Sequence, residues 1–143
     1  MPTPVELFHK DYSVEICKDN PTFLFVFGDN SCRYGKGGQA IIRDCPNSFG
    51  IATKAHPSSN AQSYFSDNSE RNLRVVLTDI YNLTYLINNP NQPYEKVYLP
   101  YYGLGTGLAD LPSKAPNLYK LILDLVYKIN GYPVYHLYEK TSY

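Results

Sequence analysis

Thr22 to Phe27 reads Thr-Phe-Leu-Phe-Val-Phe, an apolar, aromatic and β-branched run without polar alternation, and it opens directly into Gly28-Asp29-Asn30. A strand with one solvated face alternates; a run without alternation is a central strand buried on both faces. That single element demands a sheet with neighbours on each side and helices above and below it. The remaining sequence supplies them. Phe49 to Thr53 and Val97 to Leu99 read as further buried strands, the second just before Pro100, and Val134 to Tyr138 reads as the last strand.

The helices show a different period. Leu73, Val76, Leu77, Ile80, Leu83 and Ile87 recur at helical spacing, with Asp67, Asn68 or Ser69 as N-cap. Leu118, Leu121, Ile122, Leu125, Val126 and Ile129 mark a second amphipathic helix, starting near Ser113 and stopping at Asn130-Gly131. Gly37 to Asp44 is a short helix after the first loop. The predicted fold class is α/β, with a mixed, mainly parallel sheet, and the chain's 143 residues form one domain with one core.

Charge narrows the partners. Thirteen basic residues balance thirteen acidic ones with no Lys/Arg block, which argues against an extended nucleic-acid interface and for a small ligand. Cys17, Cys32 and Cys45 are an odd set without metal-type spacing, as expected of reduced thiols in a cytosol, so no metal or other cofactor is expected. No run approaches the roughly 18 apolar residues of a membrane span, and Met1 to Lys10 has no charged head before an apolar stretch. The expected location is the cytoplasm, without membrane partners.

Ligands of parallel sheets sit beyond the carboxyl ends of the strands. The loop after Phe27, Gly28-Asp29-Asn30-Ser31-Cys32-Arg33-Tyr34-Gly35-Lys36-Gly37-Gly38, holds four glycines in eleven residues between a strand and a helix. Glycines there let backbone N–H groups converge on an anion, and the helix N-terminus adds positive potential. Gln39 follows where a nucleotide-triphosphatase loop requires Lys and Ser/Thr, so that reading fails. The loop after Leu99 carries Tyr101-Tyr102-Gly103-Leu104-Gly105-Thr106-Gly107-Leu108, with the Thr106 hydroxyl free to donate to phosphate. Two such loops at strand ends are suited to close over one diphosphate.

In order and spacing the two loops resemble those of macrodomains, the ADP-ribose-binding family, over about Thr22 to Ile129. Gly35-Lys36-Gly37 and Thr53-Lys54 are similar to the branch containing the antitoxin that removes ADP-ribose from DNA and the terminal ADP-ribose glycohydrolases, and to small stand-alone phage relatives. The resemblance implies a three-layer αβα domain. It implies that Asn30 meets the distal ribose and that Gly35 to Gly38 and Gly103 to Gly107 hold the diphosphate. Gly28, Asp29, Arg33, Lys36, Thr53, Tyr102, Leu104, Thr106 and Leu108 would complete the ligand set.

Two functions follow from the resemblance. One is a binder of ADP-ribose or a related adenine nucleotide, which in a phage would sequester a nucleotide immune signal. The other is an ADP-ribosyl glycohydrolase with Lys54 at the anomeric carbon and Asp110 as the acidic residue of the second loop. A lysine of lowered pKa can form a Schiff base with an opened ribose. For the adenine amino group the comparable region offers only Asp19. No Ser/His/Asp or Cys/His arrangement emerges from the sequence, Cys32 has no evident activating partner, and Ala55 to Asp67 is Ser/Asn-rich, as a lid over the site would be.

Overall fold

A computed structural model describes residues 3–130 and 135–138. Four strands, β1 (Val5–Phe8), β2 (Phe23–Asn30), β3 (Ser48–Lys54) and β4 (Lys96–Pro100), form one sheet in the order β1-β4-β2-β3. Every pairing is parallel, so the architecture is α/β with an all-parallel sheet rather than a mixed one. The helices are α1 (Val14–Asp19), α2 (Glu70–Asn88), α3 (Leu111–Lys114), α4 (Pro116–Leu125) and α5 (Tyr135–Tyr138).

Alternate residues of the strands feed two cores. Leu24, Val26, Ile51, Val97 and Leu99 face α2 and α4, whose Val76, Ile80, Leu83, Leu118, Tyr119 and Ile122 complete the larger cluster. Phe25 and Phe27 face the other way, toward Tyr12, Cys17 and the 3₁₀ turn Gly38–Ile42 with its buried Ala40 and Ile42. Burial of both faces is the physical reason β2 lacks alternation.

Several expectations are corrected. The 37–44 helix is the 3₁₀ turn over Gly38–Ile42. The expected final strand begins at Val134, outside the described residues, but Tyr135–Tyr138 is a helical turn in which Leu137 is buried and its carbonyl accepts from Tyr119 Oη at 3.1 Å. A short apolar run fits either period. The expected helix from Ser113 is broken at Ala115, because Pro116 excludes α geometry from the residue before it; Ala115 takes φ −146° and ψ 69°. Ser69 caps α2, its Oγ accepting from Asn72 N at 3.1 Å. Asp67 instead caps α4, accepting from the amides of Asn117 and Leu118 at 3.0 Å each.

On α2 the buried stripe is Val76, Asp79, Ile80, Leu83 and Ile87, while Leu73 and Leu77 are exposed. A carboxylate that the apolar pattern did not include thus sits on the buried face, and two leucines that it did include do not. Among the described residues no helix is long and apolar enough to cross a membrane.

Candidate functional site

Beyond the carboxyl ends of β2, β3 and β4 lies a cavity of about 370 Å³. Its walls are Gly28, Asp29, Asn30, Tyr34, Gly35, Gly37, Gly38, Gln39 and Ala40 from the first loop and turn, Thr53, Lys54 and Pro57 from the end of β3, and Gly105, Gly107, Leu108 and Ala109 from the loop after β4. The two glycine-rich segments therefore meet across one cleft. A bulge brings in the third wall. Asp29 pairs with Ala52 but Asn30 with Lys54, so the register slips by one residue and both Thr53 and Lys54 reach the cleft.

Gln39 locks the loops together. Its Oε1 accepts from Gly28 N at 2.8 Å and its Nε2 donates to Gly103 O at 3.0 Å. Beneath the first loop lies a charged network. Arg43 grips Asp29 with both nitrogens, Nη1 to Oδ2 at 3.0 Å and Nη2 to Oδ1 at 2.6 Å. Arg33 reaches both oxygens of Asp79 at 2.7 and 2.8 Å, and Asp79 also accepts from Ala52 N at 2.7 Å. Partial burial opposes the Arg33 charge, but Asp79 and then Asp29 outweigh it and hold the guanidinium above its ordinary pKa.

Two features of the cleft lack internal partners. The Asn30 side chain donates Nδ2 to Tyr34 O at 2.8 Å, yet its buried Oδ1 has no hydrogen-bond partner among the described residues. The amides of Gly35, Gly37, Gly105 and Gly107 likewise have no acceptor among the described residues. Lys54, only 8 % exposed, donates to Ser58 O at 3.0 Å and lies 4.8 Å from the Tyr64 ring centre, with Lys114 5.0 Å from the same ring. Thr53 Oγ1 donates to Asp29 O at 3.2 Å. The 55–67 segment folds back through a Lys54–Tyr64 bridge and a Ser58–Ser63 hydroxyl contact, leaving Pro57 over the cavity.

Seven of the residues expected at the ligand fall outside these walls. Arg33 is turned into the Asp79 and Asp29 pairs. Lys36 pairs with Asp44 at 2.6 Å on the exposed side of the loop. Leu104 is fully buried in the larger core, and Gly103 is buried where an added Cβ would stand 3.3 Å from Tyr119 Oη. Thr106 Oγ1 turns back to donate to Tyr102 O at 2.8 Å. Asp110 sits at the start of α3 in the left-handed conformation (φ 48°), outside the walls. Tyr102 lines a second cavity of about 340 Å³ with Phe8, Lys10, Asp11, Tyr12, Pro100 and Tyr101; it shares Gly38 and Gln39 with the first. Asp19, at the end of α1, lines neither cavity, whereas Asp11 does.

The sequence reading also missed Tyr34, Gln39, Ala40, Pro57 and Ala109 in the walls. It missed a pair at the rim as well: Cys32 Sγ lies 2.9 Å from His56 Nδ1, both exposed. The two residues are 24 positions apart, and only the pairing of β2 with β3 brings them together. Among the described residues no group of three His, Cys, Asp or Glu side chains gathers as a metal site.

A family of unknown function, DUF7831, matches residues 7–125 of the chain. No curated protein and no solved structure matches it.

Proposed function

We propose that this chain, which belongs to DUF7831, is a macrodomain-like three-layer domain that binds ADP-ribose or a related adenine nucleotide between its two glycine-rich loops. The observation that carries the reading is Asn30, whose buried Oδ1 stands without a donor in the wall of the cleft. An unsatisfied buried acceptor costs about 1–3 kcal/mol. A ribose hydroxyl supplies the missing donor. The unpaired amides of Gly35, Gly37, Gly105 and Gly107 are the complement of an anion, and a diphosphate presents oxygens to both loops at once. The second cavity, joined to the first through Gly38 and Gln39, takes the adenine between tyrosine and phenylalanine rings, with the Asp11 carboxylate as acceptor for its amino group.

Binding without turnover is the favoured form of this reading. The carboxylate in the first cavity's walls is Asp29, and two arginines already claim it; Asp110 stands outside. In a phage such a protein would withhold a nucleotide signal from the host. The second reading, an ADP-ribosyl glycohydrolase, rests on Lys54, a buried amine in the wall beside Thr53.

Calorimetric titration with ADP-ribose tests the site. Gly107 has open space around an added Cβ, so Gly107→Leu should fill the cleft and weaken binding at least tenfold while the melting temperature holds. Asn30→Ala should weaken it about tenfold, the upper range for one neutral hydrogen bond. Wild-type affinity in both variants would remove the assignment.

Lys54→Ala separates the two readings. For a binder, loss of a charge-assisted hydrogen bond should cost about 1.5–3 kcal/mol of affinity, with ligand recovered intact by mass spectrometry from wild type. Processed ligand from wild type, and none from Lys54→Ala at unchanged affinity, would replace binding by catalysis.

A further inference from the structure

We propose that Cys32 and His56 form a nucleophile and base pair at the rim of the cleft, making Cys32 a covalent modification site for soft carbon electrophiles. Cys32 lies between two wall residues, Asn30 and Tyr34, and His56 between two others, Lys54 and Pro57. The pair is held in place by stitching of the two segments: Ser31 N donates to Lys54 O at 2.9 Å and Ser31 Oγ to Ala55 O at 3.2 Å. A turn closed by Arg33 N on Asn30 O at 3.1 Å presents the thiol to solvent. The thiol reaches the imidazole nitrogen at 2.9 Å, the geometry a base needs to take the proton as sulfur attacks.

The cleft adjoins this thiol along the chain. The partnerless Asn30 Oδ1 is two residues away in the adjoining wall. It accepts a hydrogen bond, so the electrophiles favoured are those that carry an N–H or O–H donor next to the reactive carbon. In the step, Sγ forms a bond to that carbon while the bond to the leaving group breaks and the leaving group departs with its electron pair. The thiol proton passes to His56 Nδ1, and the imidazolium returns it to water.

The other two cysteines behave differently. Cys17 and Cys45 are buried in the smaller core, and burial pushes the Cys17 thiol up to about 12. They serve as internal references for an intact fold.

The proposal shares Asn30 with the nucleotide reading, but the Cys32–His56 pair does not depend on that reading and is tested without nucleotide. The full chain is incubated with iodoacetamide near neutral pH, and adducts are followed by intact mass and peptide mapping. The expected result is one adduct, on Cys32, forming about tenfold faster than on N-acetylcysteine, and His56→Gln slowing it by a similar factor because glutamine keeps the contact but not the basicity. Cys17 and Cys45 should label only after denaturation. A wild-type Cys32 that reacts no faster than N-acetylcysteine overturns the proposal whatever the variant does, as does a folded His56→Gln protein that labels at the wild-type rate.

Discussion

Arg43→Ala should lower folding stability by about 3–5 kcal/mol, the cost of removing one partner from a buried ion pair. Asp29 is 3 % exposed at its side chain and Arg43 only 14 %, so little water is present to take over. Asp29 would keep the amide of Asn30 at 2.7 Å and Arg33 at 3.4 Å. Arg33 is already committed to Asp79, which makes it a poor replacement. Arg43 also donates to Gly35 O at 2.9 Å and Tyr34 O at 3.2 Å and lies over the Phe27 ring. Its loss therefore frees the first loop as well as stranding a charge. Urea unfolding measures the effect, and Asp29→Asn in the Arg43→Ala background should recover part of it by neutralising the stranded carboxylate. A loss under about 1 kcal/mol for Arg43→Ala would place the pair among surface bridges of little worth.

That network is also where sequence reading reached its limit. The strands β2, β3 and β4 were legible as short, uninterrupted apolar and β-branched runs that end at glycine, lysine or proline, and the long helix α2 because its apolar residues repeat at helical spacing over several turns. β1 and α1, with four and six residues, are too short to show one. They exist because β4 offers β1 a parallel partner and because Ser13 caps α1, its Oγ accepting from Ile16 N at 3.1 Å. The glycines of the cleft were legible as local features of strand ends. Asp79 was not, since a carboxylate on a buried helix face makes sense only with Arg33, 46 positions earlier, beside it. Gln39 reads in sequence as a residue spoiling a triphosphatase motif, and its role as a bridge between loops depends on Gly103, 64 positions away. Pro116, by contrast, stood in plain view, and the break it causes follows from local sterics alone.

Gly105→Ala should cost about 2–5 kcal/mol of stability and, on the proposed function, remove ADP-ribose binding with it, although the change adds a single methyl group. Gly105 has φ 77°, a conformation that costs an L-residue roughly 1–2 kcal/mol. Space is the larger obstacle. An added Cβ would lie 2.8 Å from Thr53 Cβ and 2.9 Å from Leu111 Cβ. Both atoms are attached directly to backbone and cannot swing aside, and overpacking of this kind costs a further 1–3 kcal/mol or so. Relief requires moving either the β3 bulge at Thr53 or the start of α3, where Leu111 N donates to Gly105 O at 2.8 Å. Displacing Thr53 shifts one wall of the cleft, and displacing α3 shifts the loop that holds the Gly105 and Gly107 amides, so stability and affinity should fall together. Gly107→Ala, two residues along the same loop, is the control: nothing lies within 4 Å of its added Cβ, and its stability should stay within about 0.5 kcal/mol of wild type. Thermal melts and ADP-ribose titrations of the two variants decide the matter. Equal stability in both would mean that Gly105 serves the ligand alone, and a stable Gly105→Ala that still binds would mean that this loop tolerates a side chain where the structure leaves no room for one.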